Sequence, residues 1–351
     1  MTVPNFVPGL ELSRSFYDEV VGPIVGDRPH AAALLGYGSD VMGFDTERST
    51  DHGWGPRLQL LFADDHAPDD LDALRRALHA QLPEEHRGWP VRFGWDDTPV
   101  QHHVAVVTTG AFFEHWLGYD PRGGLDSLDW ISTPEQLLIE MTRGGVFHDD
   151  LGEVTRVRSE LAQYPSPVWL WLLACQWRRL DQEEPFFART AEVGDDLGSR
   201  VLAARLARDV MLLCFRLERE YAPYPKWFGS AFARLESASE VGPALARALR
   251  ADTFVEREAG LVDAYEAVGR RHNALGVTDP VDPTARPFYG RPFRVLGAGR
   301  FVDACLAKVT DAQLRTRPLI GGVDQWSDNT DLRSTPAVFR RSRTLYGPRG
   351  G

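Results

Sequence analysis

Cysteine and methionine are scarce in this chain of 351 residues, at three and four respectively. Cys175, Cys214 and Cys305 lie far apart and form no Cys-x-x-Cys pair. That spacing excludes a disulfide framework and a thiolate zinc site, and it fits a reducing cytosol. Positive charge is also in deficit: 39 Lys and Arg face 50 Asp and Glu, for a formal charge of −11. A surface built to track nucleic acid by counterion release needs the opposite balance, so nucleic acid is not an expected partner. Long apolar runs are missing too. The longest, Val168 to Trp177, is too short for a bilayer and runs into Arg178 and Arg179, which makes it a buried core helix rather than a membrane span. Met1 to Leu12 has no basic region followed by an apolar core, so a secretory signal is not expected and the location expected is cytoplasmic.

What is present is an ordinary globular composition, 43% hydrophobic and 25% charged, long enough for two domains. Before residue 152, helical and strand-like patterns alternate between Gly- and Pro-rich loops. Arg14–Val25 and Leu71–Leu82 have helical periodicity, whereas Ala31–Leu35, Arg57–Phe62 and Val104–Thr108 read as strands. Thr133-Pro134-Glu135-Gln136 supplies an N-cap, a first-turn proline and a capping-box partner for a helix running through Met141. Beyond residue 152 the pattern is helical. Ser166-Pro167 opens a Trp-rich helix whose Trp169, Trp171 and Trp177 belong to the core, and Leu202, Leu206, Val210, Leu213 and Leu217 mark one face of another. The expected class is α+β: a mixed-sheet domain over 1–151, an all-helical domain over 152–336 and a flexible tail over 337–351.

The stretch Ala33 to Phe62 carries the chemistry. An apolar run leads into Gly36-Tyr37-Gly38-Ser39-Asp40, and Ser49-Thr50-Asp51-His52 precedes the next strand. Gly38 lets the backbone approach a phosphate, Ser39 offers a hydroxyl and an amide, and a helix starting there turns its positive end to the anion. The Asp51 carboxylate is then placed to hold Mg²⁺ against the same phosphates, with Asp40 and Asp45 as further oxygen ligands. Gly36, Gly38 and Gly43 do not make a dinucleotide fingerprint, because Val41 stands where its third glycine belongs. His102 and His103 are neighbours in a strand, point to opposite faces and do not share a metal.

Gly38-Ser39, eleven intervening residues and then Asp51 resemble the signature of the nucleotidyltransferase superfamily. The wider set is similar to the bacterial domain of unknown function numbered four-zero-three-seven, which is assigned to that fold: Gly38-Ser39-Asp40, Gly43, Asp45, Ser49, Asp51-His52 and Trp54-Gly55-Pro56-Arg57, then Ala174, Gln176-Trp177, Gln182-Glu183-Glu184, the run Tyr221 to Gly229, His272-Asn273 and Pro287-Phe288-Tyr289. The resemblance implies a nucleotidyltransferase-like first domain and a helical domain that closes its cleft. It implies Mg-dependent transfer from a nucleoside triphosphate to a small-molecule or protein hydroxyl, with Gly38, Ser39 and Ser49 binding the nucleotide and Asp51 and Lys226 catalytic. Arg205, Asp209 and His272 are then acceptor or cleft residues. One departure stands out. The superfamily's second metal carboxylate belongs two residues after Asp51, where this chain has Gly53, and Val104–Thr108 supplies no third. The alternative is a degenerate nucleotidyltransferase that binds a nucleotide or a partner without turnover; a toxin–antitoxin or other regulatory role is a third reading that no residue singles out.

Overall fold

A computed structural model describes residues 4–347. The chain forms two units: the first holds the chain up to Leu125 together with Leu137–Ala162, and the second holds Asp126–Gln136 and the chain from Gln163 onward.

In the first unit five strands form a mixed sheet: β1 (Ala31–Leu34), β2 (Arg57–Phe62), β3 (Arg92–Trp95), β4 (Thr98–Thr108) and β5 (Gly145–Asp149), in the order β3-β4-β2-β1-β5. β2 and β4 are parallel, and the other pairs are antiparallel. Period-two alternation makes the two faces different. Leu58, Leu60 and Phe62 of β2 and Val104 and Val106 of β4 share one face, and there they meet Phe16, Val21, Val25, Leu71, Leu74 and Leu78 in a single core. Those residues come from α1 (Gly9–Phe16), which continues through a π-helical turn (Tyr17–Val21) into Gly22–Val25, and from a later helix, Pro68–Gln81. Arg57 and Gln59 take the opposite face. The Gln59 amide clasps the chain just beyond β1, its oxygen accepting from the Leu35 amide (2.9 Å) and its nitrogen donating to the Leu35 carbonyl (3.1 Å). The turn that follows is thereby fixed to β2.

β5 and β3 carry no sequence signal of their own. In β5 only Val146 and Phe147 are apolar side chains, so its strand state comes from pairing with β1 rather than from propensity.

The second unit is helical. α2 (Ser166–Glu192) packs on α3 (Asp196–Leu217) and on α6 (Gly299–Lys308), and α4 (Ala238–Arg250) packs on α5 (Phe254–Ala274). Trp169, Trp171 and Trp177 are buried, as their leucine neighbours require. All three cysteines are buried and free; burial pushes the Cys214 and Cys305 thiols up to about 12 and Cys175 higher, which leaves no thiolate nucleophile at neutral pH. Glu184 on α2 accepts from the Leu296, Gly297 and Ala298 amides at 2.6–3.0 Å, closing the chain that leads into α6. Glu135 turns its carboxylate to the buried Arg216 guanidinium and to the Ala222 amide (2.7 Å), so it serves the tertiary structure.

One feature differs from the sequence reading. Part of the stretch read as a tail is helical, Pro336–Phe339 and Arg340–Tyr346, and the aromatic rings of Phe339 and Tyr346 are buried. The Tyr346 hydroxyl donates to the Gly321 carbonyl (2.8 Å) and accepts from the Trp326 indole (3.0 Å). Residues 348–351 of that stretch lie outside the described residues. Among the described residues no helix is long and apolar enough to cross a membrane.

Candidate functional site

The loop after β1 stands on the sheet face opposite the unit's core. Gly38 takes φ 132, and a Cβ built there would lie 2.2 Å from Asp40 Oδ1 and 2.3 Å from Arg57 Nη2, so only glycine fits. Ser39, half-buried, begins a helix of a single turn, Ser39–Met42. So short a helix has little macrodipole, and an anion there would depend on individual amides and the Ser39 hydroxyl.

The three expected metal carboxylates do different things. Asp40 is buried; its Oδ1 accepts from Arg57 (2.6 Å) and from the Val41 amide (2.9 Å). Arg57 also donates to the Tyr37 carbonyl (2.8 Å), so this ion pair shapes the loop from beneath. Asp45 Oδ2 accepts from the Gly9 amide (2.7 Å) and the Trp54 indole (3.0 Å), tying α1 to the loop. Asp51 is exposed at the end of a 3₁₀ turn, Glu47–Asp51, and lines a small cleft of about 130 Å³ with His52, Trp54, Trp89 and Phe93. Ser49 is a capping residue, its hydroxyl accepting from the Thr46 amide (3.1 Å). Among the described residues, Asp40, Asp45 and Asp51 form no group of three converging metal ligands. Gly53, where a second carboxylate would stand, is buried with φ +61, and a Cβ there would lie 3.6 Å from the Tyr37 and Trp95 rings. The donors present do not fit a two-carboxylate Mg²⁺ site.

Sequence reasoning missed what surrounds the loop. Tyr37, 43% exposed, packs at 6.4 Å from Trp95 and 6.1 Å from Trp116, ring centroid to ring centroid, and the Arg57 guanidinium lies 5.0 Å from the Tyr37 ring. Trp95 in turn touches Phe93 and His103 at 5.9 and 4.9 Å. The result is an aromatic wall beside Gly38-Ser39, built from β3, the loop itself and the helix Thr109–Leu117. No local pattern joins residues 37, 95 and 116; the sheet order does.

In the second unit Lys226 is exposed at the start of the helix Pro225–Phe232, with its Nζ 5.0 Å from the Trp227 ring centroid. Arg205 is exposed and paired with Glu183 (3.0 Å). Asp209 and His272 are internal. Asp209 Oδ1 accepts from Arg179 (3.1 Å) and from Gln176 (3.4 Å). His272 Nδ1 accepts from the Trp177 indole (3.1 Å), its Nε2 bonds the Thr278 hydroxyl (2.9 Å), and burial holds its pKa down at about 4. Both side chains are engaged within the unit's own core.

Residues 130–228 match the model of a family described as a domain of unknown function (DUF4037). That stretch includes Gln176-Trp177, Gln182 to Glu184 and Tyr221 to Phe228, and it stops short of the Gly38-Ser39 loop on one side and His272 on the other. Among solved structures the chain is similar to a nucleotidyltransferase-like protein from Exiguobacterium sibiricum, at 11% identity over 76% of this chain and 78% of that one, with a TM-score of 0.31. No curated protein gives a significant match.

Proposed function

We propose that this protein binds a nucleoside phosphate at the Gly36–Ser39 loop, its base stacked on the Tyr37–Trp95 wall, as a nucleotidyltransferase-like module whose loop lacks a two-carboxylate metal site. The observation that carries this reading is the exposed Tyr37 ring standing between two tryptophans next to a glycine-serine turn. A base offers a flat π-face to such a wall, and stacking of this kind is worth about 1–3 kcal/mol per base. The Arg57 guanidinium behind Tyr37 is already paired with Asp40, so it stiffens the wall and leaves phosphate recognition to Ser39 and the loop amides.

Turnover is the second reading, supported by the exposure of Asp51 beside the same loop. A single carboxylate can help hold one ion when the nucleotide's own phosphates supply further oxygens. In that case the acceptor is a small molecule or a protein hydroxyl.

Titrating tryptophan emission with ATP, GTP, CTP and UTP, with and without Mg²⁺, separates the readings. Binding should weaken at least tenfold in Tyr37→Ala and in Trp95→Ala, corresponding to about 1.4 kcal/mol. Pyrophosphate release by wild type, lost in Asp51→Asn, would establish turnover; binding without release, unchanged in Asp51→Asn, would establish the module. Failure of all four nucleotides to bind, or equal binding by the two aromatic variants, would sink the proposal.

A further inference from the structure

At the other end of β1, on the core face of the sheet, stands a polar cluster that the nucleotide reading does not use. His30 immediately precedes β1, and His148 and Asp150 flank Asp149 at the end of β5. The antiparallel register pairs Ala32 with His148, and the Asp150 amide donates to the His30 carbonyl (3.0 Å). Period-two alternation therefore turns residues 30, 148 and 150 to one side. One ligand atom from each of His30, His148 and Asp150 lies within 4.8 Å of the others, and among the described residues this is the group of three with that property. His148 Nε2 is 2.7 Å from Asp150 Oδ2, His30 Nδ1 is 3.9 Å from it, and the two imidazoles lie 4.6 Å apart, centroid to centroid.

The geometry points to a divalent transition-metal site, two imidazoles and one carboxylate binding an ion of the zinc class with a coordination position left open to the adjoining cleft.

Three features support it. First, the chemistry of the donors selects the ion: imidazole suits zinc and its first-row neighbours, whereas Mg²⁺ and Ca²⁺ prefer all-oxygen sets. Second, the buried ring is already oriented by its surroundings. His30 Nδ1 bonds the Arg28 carbonyl (2.7 Å) and Nε2 bonds the Tyr17 hydroxyl (3.0 Å). Because a carbonyl only accepts, Nδ1 carries the proton in that arrangement and Nε2 holds the lone pair. Whichever nitrogen turns to the ion, one of these bonds is exchanged for a coordinate bond and the other still holds the ring, as partners of metal-bound histidines do. Third, the cluster faces a cleft of about 480 Å³ whose rim includes Asp18 and Asp27. Their charges attract a cation, and the volume leaves room for water or a small ligand on the fourth position, the arrangement of zinc sites with three protein ligands. The inference is independent of the nucleotide reading, since it concerns the opposite face of the sheet and the opposite end of β1.

The test is isothermal titration of the chelator-stripped full chain with ZnCl₂ and, separately, MgCl₂, at pH 7.5. Wild type should take up one equivalent of Zn²⁺ and show no comparable uptake of Mg²⁺. His148→Ala and Asp150→Asn, at a half-buried and an exposed position, should each bind at least tenfold more weakly, while His79→Ala, an exposed histidine on the helix Pro68–Gln81, should bind as wild type does. Circular dichroism of each variant checks that it is folded. Co²⁺ loading provides a second measurement, because its visible absorption reports imidazole and carboxylate ligation and should vanish in the same two variants. No Zn²⁺ uptake by wild type, or uptake that His148→Ala and Asp150→Asn leave intact, would overturn the assignment.

Discussion

Replacing His272 by glutamine removes a titrating group from the interior of the helical unit while keeping its hydrogen bonds: a glutamine oxygen can accept from Trp177 and its nitrogen can donate to Thr278. The imidazole titrates near 6.5 in the unfolded chain, but burial holds it at about 4 when folded. Between those values the unfolded state binds more protons, so the stabilisation is complete above pH 6.5 and is lost as pH falls to about 4. At about 1.4 kcal/mol per pH unit, the loss is roughly 3 kcal/mol. Glu184 runs the other way. Burial raises its carboxyl from 4.5 to about 7 despite the three amides it accepts from, so the folded state keeps a proton that the unfolded state releases. Its contribution is complete below pH 4.5 and falls by roughly 3 kcal/mol as pH rises through 7. In wild type the two nearly cancel between pH 4.5 and 6.5. Urea unfolding followed by far-ultraviolet circular dichroism from pH 4 to 7.5 exposes each slope as a difference. The stability gap between wild type and His272→Gln should widen by roughly 3 kcal/mol in favour of wild type from pH 4 to 6.5, and the gap between wild type and Glu184→Gln should change in the opposite sense. A gap independent of pH for His272→Gln would refute the reasoning, because it would mean that the folded imidazole titrates as it does in the open chain.

Two further outcomes concern the loop. Arg57→Met leaves the Asp40 carboxylate buried and unpaired, and should lower stability by about 3–5 kcal/mol, with most of the loss recovered when Asp40→Asn is added, as read by the same denaturation. Gly38→Ala places a methyl group against Asp40 and Arg57 and should cost about 1–3 kcal/mol, while lowering the melting temperature by several degrees; an unchanged melting temperature would show that the loop adapts.

How far the sequence reached depends on where each signal resides. β2 was legible to its ends, and the opening of the Trp-rich helix at Ser166 was given by Ser-Pro and an apolar face. β5 was not, since a five-residue stretch containing His148 and Asp149 looks like a loop until β1 is beside it. The site divides in the same way. Gly38, Ser39 and Asp51 follow one another closely enough to be seen as a pattern, and all three stand in the segment between β1 and β2. The employment of Asp40, Asp45 and Ser49 in an ion pair, a helix tether and a cap depends on Arg57, Gly9 and Thr46, which no spacing names in advance. The His30, His148 and Asp150 cluster left one trace, two possible ligands at strand spacing in His148 and Asp150, but its third member is over a hundred residues away.

The interleaved course of the chain has a consequence for how the protein is made. Asp126–Gln136 belongs to the second unit although residues on both sides of it belong to the first. Its anchor, Glu135, meets Arg216 across 81 positions of sequence, and the Ala222 amide across 87. At a synthesis rate of roughly 5–20 residues per second, Glu135 waits on the order of ten seconds at the ribosome for its guanidinium. During that interval β5 can already complete the first unit's sheet, so the segment is held at both ends by a finished neighbour while its own unit is still being built. No single cut in the chain separates the two units, and a fragment ending near residue 151 would carry Glu135 without the arginine that balances it.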